Sequence, residues 1–223
     1  MHIPDGMISG GTAVASGALS LSTISASLVQ GARRLKERQI PMIGLVAAFF
    51  LIAQTIHIPL GPGVSAHLLG GALVAILLGP WVGCLVIATA LLLDAGGLGH
   101  GGVTTLGANI ALTGIIEGIG SYLLFRVLAT VLPRTRRGFL ATTAITTWTT
   151  ALVASAVGSA LITYGGSLGA QGVLPVFATV VGLQAVIGIA QATITTLAVG
   201  AVMAARPDLM ATRDLLPASA TAS

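Results

Sequence analysis

Charge is scarce in this 223-residue sequence: six acids and ten bases make up 7% of it. A soluble globular domain carries about 25%, and so few charges cannot solvate the surface of a water-soluble fold. Cysteine is nearly absent. Cys84 alone excludes a disulfide framework and a thiolate metal cluster. Lysine is as rare, with Lys36 the single example, and no Gly-rich loop ends in Gly-Lys-Ser or Gly-Lys-Thr. The chain therefore has no phosphate loop with which to hydrolyse ATP. Its last apolar run, 173–204, holds no lysine for the Schiff base of a seven-span photoreceptor. Abundance lies elsewhere. Hydrophobic residues are 55% of the chain and glycine occurs 30 times, a composition suited to membrane helices that approach closely through small residues.

A span needs about 20 mostly apolar residues. Residues 7–32 supply the first, stopped by Arg33-Arg34-Leu35-Lys36-Glu37-Arg38. Residues 40–58 supply the second, closed by Pro59 and Gly61-Pro62-Gly63. Residues 67–93 are too long for one span, and Gly79-Pro80 in their middle is a turn signal, which predicts two short helices. Further spans are expected at 103–125, 139–163 and 173–204. The Gly-rich stretch 96–102 is expected to be a loop, because glycine is a poor helix former. The fold class is all-α and integral to the membrane, with seven transmembrane helices.

All ten bases (Arg33, Arg34, Lys36, Arg38, Arg126, Arg134, Arg136, Arg137, Arg206 and Arg213) follow the first, fifth or seventh span. Lys and Arg collect in cytoplasmic loops, so the amino terminus is expected outside and the carboxyl terminus in the cytoplasm. The same placement removes nucleic acid as a partner, since these bases are topology determinants. Met1-His2-Ile3-Pro4-Asp5-Gly6 has neither a basic leader nor a cleavage pattern, and an uncleaved terminus delivered outside is the expectation. The chain divides into one membrane domain, 1–205, with residues 1–8 capping a bundle of 9–205, and a cytoplasmic tail, 206–223.

On this topology His2, His57, His67 and His100 all fall on the outer side. For His57 and His100 an interfacial polar role competes with a chemical one. His2 has a specific capability. A free α-amine, the backbone nitrogen of residue 2 and an imidazole nitrogen close two fused chelate rings on one ion, three nitrogens in a plane. One more imidazole completes a square-planar set, the geometry of Ni(II) or Cu(II) rather than of Mg, Ca or tetrahedral Zn. Removal of the initiator Met generally needs a small second residue, so His2 is expected to stay second.

Met1-His2-Ile3-Pro4-Asp5-Gly6 resembles the amino-terminal signature of the CbiM/NikM family, the substrate-binding S components of energy-coupling-factor importers for nickel and cobalt. The likeness continues at Gln54, at Pro59 with its Gly-Pro-Gly turn, and at Ser65-Ala66-His67-Leu68-Leu69-Gly70-Gly71. It resumes at Ile76-Leu77-Leu78-Gly79-Pro80-Trp81 and at His100-Gly101-Gly102-Val103-Thr104-Thr105-Leu106-Gly107-Ala108-Asn109. It covers about the first half of the chain. It implies metal held by the amine of Met1, the backbone and ring nitrogens of His2, and His67. Gln54, His57, His100, Thr104 and Asn109 are the candidates for orienting those ligands or lining the path. For Thr104 and Ser65 helix capping is the stronger reading, and for Asn109 and Gln54 helix–helix hydrogen bonding stands level. Three residues depart from the family's pattern: His57, where Asn is usual, Asp94, where Gln is usual, and Leu112, where a polar residue is expected. The Pro4-Asp5 form of the head resembles nickel members more than cobalt members.

The resemblance implies a high-affinity component of an ATP-driven importer in a prokaryotic cell membrane, with nickel ahead of cobalt. The metal is its substrate, and no cofactor of its own is expected. Its partners would be a transmembrane coupling subunit, cytoplasmic ATPase subunits and a small accessory membrane subunit. No enzymatic activity is expected, because the histidines lie at the outer edge and Asp94 has no companion acid for intramembrane hydrolysis. A stand-alone secondary permease is the alternative, and paired broken helices in internal repeats would be its mark. Glu117 stands out as the carboxylate inside a span, which by default marks a functional site.

Overall fold

Within a bilayer no water can satisfy backbone N–H and C=O groups, so an apolar chain of this composition has to close its hydrogen bonds in helices. The computed structural model describes residues 2–35, 37–61, 64–67, 70–99, 101–166 and 173–216. Helix α1 is Gly10–Arg34, α2 Ile40–Gln54, α3 Gly71–Leu78 and α4 Pro80–Leu93, the last continued by a π-helical turn at Asp94–Leu98. Next comes a continuous span made of α5 (Leu106–Ile110), a π-helical stretch at Ala111–Gly120 and α6 (Ser121–Val131). The long helices α7 (Arg136–Tyr164) and α8 (Val173–Ala205) complete the bundle. Five of these segments are long and apolar enough to cross a membrane, and Ile40–Gln54 is a shorter apolar helix.

Two local features differ from the expectation. Helix α2 ends at Gln54 instead of residue 58, and His57–Gly61 and Val64–His67 form an antiparallel hairpin, β1 and β2. Pro59 cannot donate a helical hydrogen bond and biases the residue before it toward extended backbone. The π-helical turn also takes up Gly96 and Gly97, assigned to a loop on composition, and closes at Gly99 in the left-handed region (φ 69°). At Gly79-Pro80 the chain breaks between α3 and α4 as expected, with Gly79 at φ 85°.

Contacts sort the helix ends into two groups. At one end Arg126 pairs with Asp214 at 3.1 Å, joining α6 to the chain after α8. The Ala211 N–H donates to the Leu77 carbonyl (2.8 Å) and the Thr212 hydroxyl to the Ile76 carbonyl (3.2 Å), which closes the last turn of α3. This is the basic end, the one expected on the cytoplasmic side. At the other end the start of α1, the end of α4, the start of α5 and the end of α7 meet.

Helix α3 is unusual. Its eight residues span about 12 Å, well short of the bilayer, and every one of them is buried. Its first turn stands against the middle of the α5–α6 span, where the Gly71 N–H donates to Glu117 Oε2 at 3.0 Å. A carboxylate facing the positive end of a helix is a favourable arrangement, and this one lies in the protein interior, 4% exposed. The approach leaves no room for side chains: a Cβ on Gly71 would lie 2.3 Å from the Thr113 carbonyl oxygen and 2.9 Å from the Gly118 nitrogen. Elsewhere α1 touches the bundle through a similar contact, with Gly107 against Gly17 and the Ser20 hydroxyl on the Gly107 carbonyl (2.6 Å). Val14, Leu45, Leu123 and Val186, all more than half exposed, are left to lipid.

Gly71→Ala is expected to lower the stability of the detergent-solubilised protein by about 1–3 kcal/mol, read as a fall in thermal midpoint by circular dichroism. Gly10→Ala, where a Cβ meets nothing within 4 Å, serves as the control and should leave the midpoint in place. Equal midpoints for both variants would show that the α3 contact is not tight.

Candidate metal centre

The amino-terminal segment is packed into the outer end of the bundle. Ile3 is fully buried (0% exposed) and clusters with Ile8, Ala108, Leu112, Ile162 and Val180. That cluster explains Leu112, where a polar side chain was expected: it supports the floor beneath Ile3. A buried peptide has to be satisfied, and the peptide groups of Ile3 are. Its N–H donates to Asn109 Oδ1 at 2.7 Å. Its carbonyl accepts from Asn109 Nδ2 (3.1 Å), the Thr105 hydroxyl and the Gly102 N–H (3.3 Å). Thr105 and Asn109 are four residues apart at the start of α5, so both side chains stand on one helix face.

Asp5 makes the second attachment. Its carboxylate, exposed to solvent, accepts from the Thr104 N–H (2.8 Å), the Val103 N–H (3.2 Å) and the Thr104 hydroxyl. Gly102 has to be glycine here, since a Cβ would fall 2.3 Å from Asp5 Oδ1. The Thr104 hydroxyl first, and then the N–H groups of Thr104, Val103 and Thr105, hold the Asp5 carboxyl below its ordinary value of 3.8, against the opposing effect of burial. A third attachment follows, with the Ser9 N–H on the Gly165 carbonyl (2.6 Å) at the end of α7.

His2 lies immediately ahead of the first of these attachments. It is 3% exposed, and its Nδ1 lies 3.5 Å from Oδ2 of Asp94, itself 0% exposed. Gly101 closes the other side, where a Cβ would lie 3.4 Å from the same Nδ1. No group of three or more His, Cys, Asp or Glu side chains comes together among the described residues. Met1 and His100 lie outside the described residues, as do the side chains of His57 and His67. The backbone register of the hairpin nonetheless makes His57 and His67 direct partners.

The structure thus brings His2, Thr104 and Asn109 into one neighbourhood. Thr104 binds Asp5, and Asn109 clamps the peptide after His2. Gln54 is buried (1% exposed) as the last residue of α2. Glu117 does not join the centre's described side chains and caps α3 instead. Thr105, Gly102 and Asp94 are the residues that sequence reading did not single out for these roles. A signal existed for Thr105, in its spacing from Asn109. For Asp94 there was none, because nothing local links residue 94 to residue 2.

Several apolar helices and a chain start folded back into the bundle define a multi-pass membrane protein with a site at one end. The model of the family described as CbiM, cobalt uptake substrate-specific transmembrane region, matches residues 2–209, and the chain belongs to that family. It is similar to a protein of Haloquadratum walsbyi named as a metal transport protein, 32% identical over 96% of this chain and 94% of that one. It is also similar to a protein of Archaeoglobus fulgidus named as the fused nickel transport protein NikMN, 33% identical over 94% of this chain and 68% of that one. A Halobacterium salinarum protein named as the cobalt transport protein CbiM is 33% identical over 70% of this chain and 71% of that one. A crystal structure described as a transition metal transporter shares the fold, with a TM-score of 0.80 and 24% identity over 91% of this chain and 92% of that one. The chain is a membrane transport component and not an enzyme.

Because the folded-state value of Asp5 lies below its ordinary value of 3.8, its contribution to holding the segment is fully present above the ordinary value. It is lost as pH falls through the lower, folded-state value. Hydrogen exchange at Val103 and Thr104 should therefore rise on acidification below the ordinary carboxylate range. In Asp5→Asn it should be faster already at neutral pH and change little with acid. Protection in that variant equal to the native protein's would show that the carboxylate is not the anchor.

Proposed function

We propose that the chain is the substrate-binding component of an energy-coupling-factor importer, with Ni(II) the preferred substrate and Co(II) the second. The observation that carries this reading is the buried His2, directly before the clamped Ile3 peptide and facing Asp94. That placement holds residue 2 in the interior, and with it an amine, a peptide nitrogen and an imidazole chelate one ion. The amine of Met1, the backbone nitrogen and ring of His2, and the ring of His67 are the ligands. Residues 1–8 cap the ion and residues 206–223 face the cytoplasm. The relatives named for nickel and cobalt transport support the metal class, and the Pro4-Asp5 head supports nickel.

The chain's own part in the mechanism is capture. Hydrogen bonds to Ile3 and Asp5 pre-organise the chelate, so less ordering entropy is lost when the ion arrives. Binding needs a deprotonated amine and a displaced amide proton, so it releases protons. Energy comes from separate cytoplasmic ATPase subunits through a transmembrane coupling subunit, with a small accessory membrane subunit. Transport by the assembled complex should then stop when ATP is withheld. Uptake that persists without ATP would favour a stand-alone permease.

The test adds one residue before Met1, which moves the amine and leaves every side chain in place. Native protein should bind one Ni(II) by calorimetry and the extended form none, with His2→Ala behaving like the extended form. Native affinity should also weaken as pH falls below the amine's ordinary pKa of about 7.7–8.0. Equal binding by native and extended protein would remove the amine from the site.

A further inference from the structure

The long helices α7 and α8 do not close against each other along their whole length. On their lipid-facing side a groove of about 620 Å³ opens between them, lined by Ala144, Ile145 and Trp148 of α7 and by Ile189, Ala192 and Leu197 of α8. That volume lies in the range of about 300–1,000 Å³ usual for small-molecule sites. Alanines on both helices leave the hollow, and the partly exposed Trp148 and Leu197 stand at its sides. Polar groups along it are used internally. The Thr193 hydroxyl donates to the Ile189 carbonyl (2.8 Å) and Trp148 Nε1 to the Ala185 carbonyl of α8 (3.0 Å). What the walls offer an occupant is chiefly hydrocarbon.

Two features identify that occupant. The first is where the groove stops. The Trp148 indole lies across to α8, so near Gly188 that a Cβ there would fall 3.0 Å from its Cδ1. Arg137 and Trp148 are separated along α7 by about 16 Å at 1.5 Å per residue, and half the hydrocarbon core is about 15 Å. A transmembrane helix needs a groove that crosses the bilayer, whereas an acyl chain of one leaflet ends where this groove does. The second feature is charge. Counting back from Trp148 and Ala144, the helical repeat brings Ala141 and Arg137 onto the same face of α7. Arg134, Arg136 and Arg137 are exposed, and none of them is in an ion pair among the described residues. Asp208 and Asp214, the acids after α8, pair with Arg206 and Arg126. Uncompensated bases at headgroup depth beneath an apolar groove between helices are the pattern of a site for anionic lipid.

We propose that the α7–α8 groove binds one anionic phospholipid from the leaflet at the basic end. One acyl chain lies along Ala144, Ala192 and Trp148, and the phosphate sits on Arg137 with Arg136 beside it. The arginines set the preference for a negative headgroup, and the groove holds the chain. Such a lipid ties the basic-end halves of α7 and α8 together instead of exchanging freely with the surrounding bilayer.

The experiment reads Trp148 fluorescence in full-length protein carrying Trp81→Phe, which removes the only other tryptophan. The protein is reconstituted in phosphatidylcholine vesicles containing increasing amounts of either phosphatidylglycerol or phosphatidylcholine brominated in the distal half of the acyl chains. Brominated phosphatidylglycerol should reach half-maximal quenching at a mole fraction about fivefold or more below that of brominated phosphatidylcholine, the advantage of one arginine near an anionic headgroup. Replacing both bases, Arg136→Ala with Arg137→Ala, should bring the two curves together. Ala144→Leu, which keeps both arginines and fills the groove, should also abolish the difference. Equal curves in the starting protein overturn the proposal whether or not the variants fold. A difference that survives Ala144→Leu overturns the groove and leaves only surface attraction to the bases. Quenching by neither lipid overturns it as well, and shows Trp148 covered by protein, such as a second copy of the chain.

Discussion

The outer half of this protein depends on one buried peptide. Ile3 is withdrawn completely from solvent and lipid, and its N–H and carbonyl would each cost about 1–3 kcal/mol if left unmade there. Asn109, Thr105 and Gly102 supply four hydrogen bonds to that single residue. This over-determination fixes the segment in rotation as well as in depth. An apolar contact alone would let residue 3 slide or turn. A bidentate amide clamp with a hydroxyl beside it does not, so the neighbouring His2 is held in one orientation.

The same economy of space recurs deeper in the bundle. Helices in lipid gain nothing from hiding apolar surface from each other, so they associate by close packing and polar contacts. Gly17 on Gly107 and Gly71 on the α5–α6 span are closest approaches of this kind. On α7, Thr142, Thr143, Thr147 and Thr150 return their hydroxyls to carbonyls one turn earlier. Those four hydroxyls are thus met by the helix's own backbone. Ser121 and Thr150 link α6 to α7 at 2.7 Å, and Phe125 meets Phe139 edge-on at 5.0 Å nearer the basic end.

Hydropathy and the placement of bases made the helical spans legible, because length and apolarity are properties of contiguous residues. The break at Gly79-Pro80 was legible for the same reason. The hairpin at 57–67 was not: its strands are four and five residues long, and Pro59 with two glycines reads as a loop. The π-helical turns also leave no local mark, since they answer to packing by distant residues. At the site, Met1-His2 announced its chemistry through a chelate that depends only on adjacent atoms. The contact of Asp94 with His2 and the clamp on Ile3 were not legible, because the partners lie about a hundred residues apart and only the fold brings them near.

Helix α3 bears on how the protein is made. Eight residues cannot form a stable membrane insertion on their own, and neither of its ends is self-sufficient. Its first N–H relies on Glu117 and its last carbonyls on Ala211 and Thr212. Those partners are synthesised 46 and more than 130 residues later. While α1 and α2 can settle as the ribosome proceeds, the central half-helix has no complete set of partners until the segment after α8 has emerged. Assembly of the interior is thus a late, post-insertional event, and a chain truncated before Ala211 would keep its spans yet lack the bonds that close its centre.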